Sequence, residues 1–271
     1  MLPAEPNLAI VGATGAVGQE FLRILEERRF PHASLRLLAS PRSAGRAVTF
    51  AGREVRIDAL EEQSFEGVDL ALFSAGGSVS DEYGPAAVAR GATVIDNSSR
   101  FRMDPEVPLV TPEVNGAVLD AIDGPCIIAN PNCSTIIALV AVTPLHRVAG
   151  VRRMVVSTYQ AASGAGAAAM AELEQQARDW SADRPLDTSI FGRPSLFNLF
   201  SHDSPIGPEG YNEEERKLIR ETRKMWADDD VAISATCVRV PVLRAHAESI
   251  NLTFERPLDE DAARAILAEA P

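Results

Sequence analysis

The stretch Leu8-Ala-Ile-Val-Gly-Ala-Thr-Gly-Ala-Val-Gly18 passes from an apolar run into three glycines at the opening of a helix-like segment. A strand followed by such a turn brings backbone N–H groups to a helix N-terminus, where they can hold a pyrophosphate. The spacing is G-x-x-G-x-x-G, not the commoner G-x-G-x-x-G. A tight turn that needs glycine only for its backbone geometry is the alternative. The stretch predicts a nucleotide-binding β–α unit.

Short apolar runs and helix-like stretches continue to alternate outward from this unit. The segments are 8–11, 18–29, 35–39, 68–74, 83–90 and 92–96. This alternation predicts an α/β fold that begins with a Rossmann-type, doubly wound parallel sheet. We assign residues 1–132 to a nucleotide-binding domain.

After residue 150 the pattern becomes β-rich, and an Ala-rich helix interrupts it. The predicted strands are 154–160, 232–242 and 248–254, and the predicted helices are 165–178, one from residue 212 and a short one at 261–269. We expect an α+β domain with a mixed sheet over residues 133–271. Residues 181–210 are interpreted as a long surface excursion.

Composition limits the class of protein. The chain has 271 residues, 46% of them hydrophobic, with 38 acidic against 26 basic side chains and a net charge of −12. This charge repels phosphate backbones and anionic lipids, so we expect neither a nucleic-acid nor a membrane partner. Three cysteines provide no disulfide framework and lack zinc-ligand spacing, so we expect no metal site and a cytoplasmic location.

The end of the predicted second strand bears on the choice of nucleotide. An NAD site usually places an acidic residue here, but this chain has Ser40-Pro41-Arg42-Ser43. A guanidinium flanked by hydroxyls suits a 2′-phosphate and favours NADP, while a solvated arginine in a turn is the alternative. The loop Ser74-Ala75-Gly76 follows the next apolar run and lets a nicotinamide approach the backbone.

Cys133 is the candidate nucleophile because it opens the predicted helix 133–146, directly after the turn Asn130-Pro131-Asn132. The positive end of a helix dipole favours a thiolate, and nearby N–H groups can stabilise an oxyanion. Cys126 and Cys237 lie in apolar strands and are interpreted as ordinary buried cysteines. An inert buried thiol is the alternative for Cys133.

His246 is the candidate acid/base because it ends a strand-like run, where an imidazole can face a cleft. The other histidines, His32, His146 and His202, lack such a setting. Since a lone histidine is more often a surface or core residue, position alone leaves both interpretations open.

Several segments together resemble one family, the aspartate-semialdehyde dehydrogenases. They include Gln160-Ala-Ala-Ser-Gly-Ala-Gly166 and Asn130-Pro-Asn-Cys-Ser-Thr135, and the full set is 10–18, 38–45, 71–80, 94–103, 130–135, 160–166 and 239–248. The segments follow the family's order and cover essentially the whole chain.

The resemblance implies an NADP-dependent, cytoplasmic homodimer that reduces 4-phospho-L-aspartate to L-aspartate 4-semialdehyde and releases phosphate. It implies that residues 1–132 form the NADP-binding domain and that residues 133–271 serve catalysis, substrate binding and dimerisation. This reaction belongs to lysine, threonine, methionine and isoleucine biosynthesis. In catalysis, Cys133 carries the thioester, His246 is the acid/base and Gln160 orients the substrate. The implied cofactor-binding residues are Gly12, Ala13, Thr14, Gly15, Ala16, Val17, Ser40, Arg42, Ser43, Ser74, Ala75, Gly76 and Gly164.

The resemblance also implies how the substrate is recognised. Arg102 and Lys217 bind phosphate, Arg239 binds the carboxylate and Glu214 binds the amino group. Asn132 assists phosphate or oxyanion binding, and Ser163 contacts the substrate. From the residues alone, Glu214 and Lys217 share one helical face, and an exposed ion pair is the alternative.

Two departures and two alternatives accompany the resemblance. The chain ends at Pro271, so we expect the family's C-terminal segment to be missing. Residues 197–206 differ from the common Ile-Pro-His-Ile-Asp version and resemble another branch of the family; we interpret them as subgroup variation near the subunit interface. N-acetyl-glutamyl-phosphate reductase shares the chemistry, but its cysteine usually follows His-Pro-Gly. A non-catalytic paralogue would have no need to retain Cys133, Gln160, Arg239 and His246 together.

Overall fold

A computed structural model of the chain describes residues 2–271. The chain divides into two compact units, one that ends at Pro131 and one that spans Asn132–Pro271. The cofactor-binding and catalytic roles assigned to the two domains stay predictions.

The first unit contains a seven-stranded sheet in the order β3-β4-β2-β1-β5-β6-β7. All neighbouring strands are parallel except β3, which is antiparallel to β4. The strands are β1 (Asn7–Val11), β2 (Ser34–Ala39), β3 (Ala47–Phe50), β4 (Arg53–Ala59), β5 (Leu70–Phe73), β6 (Thr93–Asp96) and β7 (Ile127–Ala129). The helices of this unit are α1 (Ala16–Glu27), α2 (Gly77–Ala89) and α3 (Pro112–Asn115).

The central strand β1 is buried because helices cover both faces of this sheet. One apolar cluster packs Leu22 of α1 against Ile10 and Leu37. A second cluster, on the other face, packs Val11 and Phe73 with the apolar side of α2. Parallel strands buried on both faces are near-continuous apolar runs, which is why the sequence revealed them. The predicted Rossmann-type fold class is confirmed.

Two predictions for this unit were incomplete. The β3–β4 hairpin was missed because its strands are short, polar and largely exposed. The second helix begins at Gly77, not at residue 83, because its first turn consists of small residues and its interior contains Pro85. Both features weaken a helical pattern read from the sequence.

The second unit contains a four-stranded mixed sheet in the order β11-β8-β10-β9. Strand β8 pairs parallel with β10 and antiparallel with β11. The strands are β8 (Val151–Gln160), β9 (Phe200–Ser201), β10 (Ala232–Arg239) and β11 (Ala247–Phe254). The helices are α4 (Cys133–Ala149), α5 (Ala167–Ser181), α6 (Glu213–Trp226) and α7 (Glu260–Glu269).

One face of this second sheet is buried. On β8, the side chains of Met154, Val156, Thr158 and Gln160 alternate with more exposed neighbours. Helices α4 and α6 contact each other and the sheet, and Leu218 of α6 belongs to the same apolar cluster. This buried row ends in Thr158 and Gln160, whose polar side chains lie at the edge of the core.

The structure corrects two predictions here. Strand β10 ends at Arg239, three residues early, because Pro241 has no N–H for a ladder hydrogen bond. The excursion at 181–210 is also more than a surface loop. Its Phe191 and Phe200 are buried against Leu173 of α5. Within residues 2–271, no helix is both long and apolar enough to span a membrane.

Candidate functional site

The first unit has a pocket of about 500 Å³ at the carboxyl edge of β1, β2 and β5. The strand order reverses between β1 and β5, and this is where open α/β sheets bind ligands. The predicted cofactor residues that line it are Gly12, Thr14, Gly15, Ser40, Ser74 and Ala75.

Gly12 explains why this turn needs glycine. Its φ is +88°, and a Cβ on it would collide with the carbonyl oxygen of Ser74. Thr14 and Gly15, just before α1, are exposed and line the pocket. The first turn of α1 contains no acidic residue, and its N-cap, Gly15, has no side chain to accept hydrogen bonds from the backbone N–H groups. These features fit a dinucleotide phosphate at the helix N-terminus.

The other predicted cofactor residues of this unit lie around the pocket. Ala13 is buried, Ala16 and Val17 open α1, and Gly76 directly precedes α2. Arg42 and Ser43 belong to the 3-10 turn Pro41–Ser43, in which the side chain of Arg42 is exposed.

Pocket residues that the sequence analysis missed are Leu60, Val79 and Tyr83. Val79 and Tyr83 are one turn apart on α2, so a correct start for that helix would have revealed them. Arg102 is buried in the first unit, and its Nη2 donates to the carbonyl oxygen of Asn97 at 3.0 Å. Its phosphate-binding role stays a prediction.

Cys133 is the first residue of α4, and its side chain is exposed. Asn132 caps the helix, and its Oδ1 accepts the N–H groups of Ser134 and Thr135 at 3.0 and 3.3 Å. Burial raises the pKa of Cys126, and it raises the pKa of Cys237 to about 12. The accessible thiol is therefore the one at the helix start.

Helix α6 fixes the turn that carries this thiol. Glu221 accepts the backbone N–H of Asn132 at 2.6 Å, and Glu214 accepts its Nδ2 at 2.8 Å. The two buried carboxylates lie two turns apart, so they face the same way. One amide hydrogen of Asn132 is committed to Glu214, and the other is available for its predicted role in phosphate or oxyanion binding.

Glu214 connects the polar groups of this site. Its Oε2 lies 3.2 Å from the Nζ of Lys217, and its Oε1 accepts Gln160 Nε2 at 3.4 Å. Gln160 also donates to the hydroxyl of Ser134 at 2.9 Å. Burial alone would raise the pKa of Glu214, but Lys217 and Asn132 outweigh it and hold this pKa below its ordinary value. Glu214 is thus a buried carboxylate at neutral pH.

Arg239 and His246 converge on Gly164. A Cβ built on Gly164 would lie 3.0 Å from Arg239 Nη1 and 3.1 Å from His246 Nε2. Arg239 is buried, and within the described residues its Nη1 has no hydrogen-bond partner. A buried, unpaired guanidinium nitrogen is costly, so this geometry indicates a place for an anion such as a carboxylate.

The ring of His246 has a defined orientation. Its Nδ1 accepts the backbone N–H of Ala161 at 3.1 Å, so the neutral ring carries its proton on Nε2. Burial, and then the charge of Arg239, lower the pKa of His246. Neutral His246 therefore presents an N–H donor toward the space beside Gly164. Ser163 and Gly164 share the 3-10 turn Ala162–Ala165, which is anchored through Ser163 N–H to the carbonyl oxygen of Leu243.

His202 lies among charged groups that the sequence did not predict. Burial and the charge of Arg239 lower its pKa, and Glu214, Asp203 and Lys217 also act on it. No local signal predicts this environment, because the charges of Arg239, Glu214 and Lys217 come from β10 and α6. Glu221, by contrast, could have been predicted from the sequence, because it lies two turns after Glu214 on the same face of the predicted helix.

Comparisons with known proteins agree with this geometry. The family model described as semialdehyde dehydrogenase, NAD binding domain, matches residues 7–122, and the one described as semialdehyde dehydrogenase, dimerisation domain, matches residues 142–271. An aspartate-semialdehyde dehydrogenase from Synechocystis is 50% identical over 100% of this chain and 79% of its own length. One from Aquifex aeolicus is 48% identical over 98% of this chain and 78% of its own.

A solved structure is also similar. The crystal structure of aspartate semialdehyde dehydrogenase II from Vibrio cholerae, complexed with ASA, has a TM-score of 0.96 and 41% identity. The match covers 99% of this chain and 80% of that one.

Proposed function

Because the chain belongs to the aspartate-semialdehyde dehydrogenase family, we propose that it reduces 4-phospho-L-aspartate to L-aspartate 4-semialdehyde with NADPH, through a thioester on Cys133. The observation that supports it most is the convergence of Arg239 Nη1 and His246 Nε2 at Gly164, in the unit whose helix α4 opens with an accessible thiol. The product is the semialdehyde from which lysine, threonine, methionine and isoleucine derive.

The first step is acyl transfer. The sulfur of Cys133 attacks C4 of the acyl phosphate, the bond from C4 to the phosphate oxygen breaks, and phosphate leaves. The start of α4 favours the thiolate, and the second amide hydrogen of Asn132 can donate to the developing oxyanion. The N-cap bonds to Ser134 and Thr135 keep this turn fixed during the step.

The second step releases the aldehyde. Bound NADPH supplies the hydride that reduces the thioester carbon. The Nε2–H of His246 stabilises the oxygen that becomes negative, and the carbon–sulfur bond then breaks to return the thiolate of Cys133. Gln160 keeps the adjacent Ser134 and Glu214 in place.

Recognition of the substrate divides between charges of opposite sign. The guanidinium of Arg239 binds the α-carboxylate, and the carboxylate of Glu214 binds the α-amino group beside Lys217. Arg102 and Lys217 bind phosphate. A small substrate with three charged groups is fixed in orientation by such separate partners.

The cofactor preference rests on Arg42. We infer that its exposed guanidinium binds the 2′-phosphate, so Arg42→Ala should raise the KM for NADP about tenfold or more, with little effect on NAD. Arg46→Ala, at a nearby exposed arginine, is the matched control. Equal effects of the two substitutions would contradict this role.

We further propose that the chain forms a homodimer through the outer face of the second sheet, where Tyr159 is exposed. The matched dimerisation domain supports this assignment. Sedimentation equilibrium should give the mass of two chains, and a concentration-independent monomer would contradict it.

The activity is tested in the reverse direction. NADPH absorbance is followed after mixing aspartate semialdehyde, NADP and phosphate with the wild-type chain, Cys133→Ser or Cys126→Ser. We expect a phosphate-dependent signal that Cys133→Ser abolishes and Cys126→Ser retains. No signal from a folded wild-type chain, or full activity of Cys133→Ser, would contradict the proposal.

A further inference from the structure

The guanidinium of Arg239 is held from two sides by the segment between α5 and α6. Its Nε donates to Oδ1 of Asp203 at 3.0 Å. Its plane lies over the ring of Phe191, with the guanidinium carbon 5.5 Å from the ring centroid. These contacts leave Nη1 directed at Gly164.

Asp203 is ionised in this position. Partial burial would raise its pKa, but the charge of Arg239 outweighs it and holds the pKa below the ordinary value. Its side chain is 39% exposed, and an ion pair with one partner this accessible to solvent contributes little to folding stability. The value of the pair is therefore the orientation of the guanidinium more than the stability of the fold.

The residues on either side of Asp203 hold its backbone in place. The backbone N–H of His202 donates to the carbonyl oxygen of Cys237 on β10, at 2.8 Å. The hydroxyl of Ser204 accepts the backbone N–H of Glu214 on α6, at 3.3 Å. Residues 202–204 thus connect the strand that ends in Arg239 to the helix turn that contains Glu214.

We propose that Asp203 is a positioning residue for Arg239, and that residues 202–204 set the separation between the carboxylate-binding and the amine-binding groups. The inference rests on the proposed function, in which Arg239 binds the α-carboxylate of the substrate. It makes Asp203 a determinant of selectivity for substrates that carry an α-carboxylate.

The reason is geometric. A guanidinium that is free to rotate about its side-chain bonds can direct any of several N–H groups at the substrate. Each of these is less well aligned than an Nη1 held in one orientation. Asp203 restricts this rotation because it accepts the Nε–H. Pre-organised charged contacts lose little freedom on binding, so their effect on affinity is larger.

Steady-state kinetics of Asp203→Ala and Asp203→Asn test the proposal. Asp203→Ala should raise the KM for aspartate semialdehyde on the order of ten- to a hundredfold, while kcat and the KM values for NADP and phosphate change less than about threefold. Asp203→Asn retains an oxygen acceptor for Nε–H and should recover much of the loss. Glu209→Gln is the control, because Glu209 lies in the same segment but pairs with Arg216 of α6 instead of Arg239.

A second substrate separates positioning from general damage. 3-Aminopropanal has the amine and the aldehyde but no α-carboxylate. The wild-type chain should strongly prefer aspartate semialdehyde, and Asp203→Ala should reduce this preference by lowering kcat/KM for aspartate semialdehyde alone.

The outcomes distinguish the two claims. Wild-type kinetics in Asp203→Ala, or equal losses on both aldehydes with a lowered melting temperature, would overturn the positioning role and leave the proposed function intact. An inactive, folded wild-type chain would overturn both.

Discussion

Replacing Gly164 with alanine adds one methyl group at the point where Arg239 and His246 converge. The new Cβ would lie 3.0 Å from Arg239 Nη1 and 3.1 Å from His246 Nε2, closer than ordinary van der Waals contact. Both groups must move by several tenths of an ångström, or the methyl occupies the space of the substrate carboxylate. Misplacement on the order of 1 Å at a reacting centre can reduce a rate about a hundredfold.

The same substitution should not harm the fold. The φ of Gly164 lies outside the left-handed region, so alanine fits the backbone there. Such a change commonly leaves stability the same or raises it by about 0.4–1 kcal/mol, through the unfolded state. We therefore expect kcat/KM for aspartate semialdehyde to fall about tenfold to a hundredfold with an unchanged melting temperature.

Gly116→Ala is the control for this experiment. Its φ is also ordinary, and its Cβ would lie 3.9 Å from the Cβ of Pro112, an unstrained contact. Steady-state assays and thermal unfolding of both variants should separate activity from stability. A Gly164→Ala enzyme with wild-type kcat/KM would refute the convergence of Arg239 and His246 on the substrate.

Three further predictions follow from buried or accessible groups. Burial raises the pKa of Glu248 to about 8, so between the ordinary glutamate pKa and about 8 the folded chain keeps a proton that the unfolded chain releases. The free energy of unfolding therefore falls as pH rises through this range, by less than about 4 kcal/mol. Glu248→Gln should abolish this fall in urea unfolding, and a variant whose stability declines with pH in parallel with the wild type would contradict it. Iodoacetamide followed by peptide mapping should label Cys133 well before Cys237, which is buried and has a pKa of about 12; equal labelling would refute the assigned exposures. Gly12→Ala should abolish NADP binding in calorimetry through its collision with Ser74, and retained affinity in a folded variant would contradict the pocket assignment.

Local sequence patterns were sufficient for the buried parallel strands of the first unit and for the place of Cys133 at the start of a helix. Strand β1 is an apolar run buried on both faces, and Cys133 follows an asparagine cap, so each signal lies within a few residues. The resemblance to the aspartate-semialdehyde dehydrogenase family is confirmed by the relatives. The roles of individual site residues stay predictions.

Contacts between distant segments could not be predicted in this way. Asp203 lies 36 positions from Arg239, and Glu221 lies 89 positions from Asn132. No sequence feature near Asp203 identifies it as a partner of Arg239, because this contact depends on the register of β9 beside β10. The excursion that contains it was interpreted as surface for the same reason, since Phe191 becomes buried only when α5 packs against it.

The measurement that tests the thioester most directly is intact-protein and peptide mass spectrometry after mixing with 4-phospho-L-aspartate in the absence of NADPH. We expect an added mass of one aspartyl group, located on the peptide that contains Cys133, with release of phosphate. Addition of NADPH should remove this group as aspartate semialdehyde. Turnover without any adduct, or an adduct on another residue that survives Cys133→Ser, would contradict a thioester on Cys133.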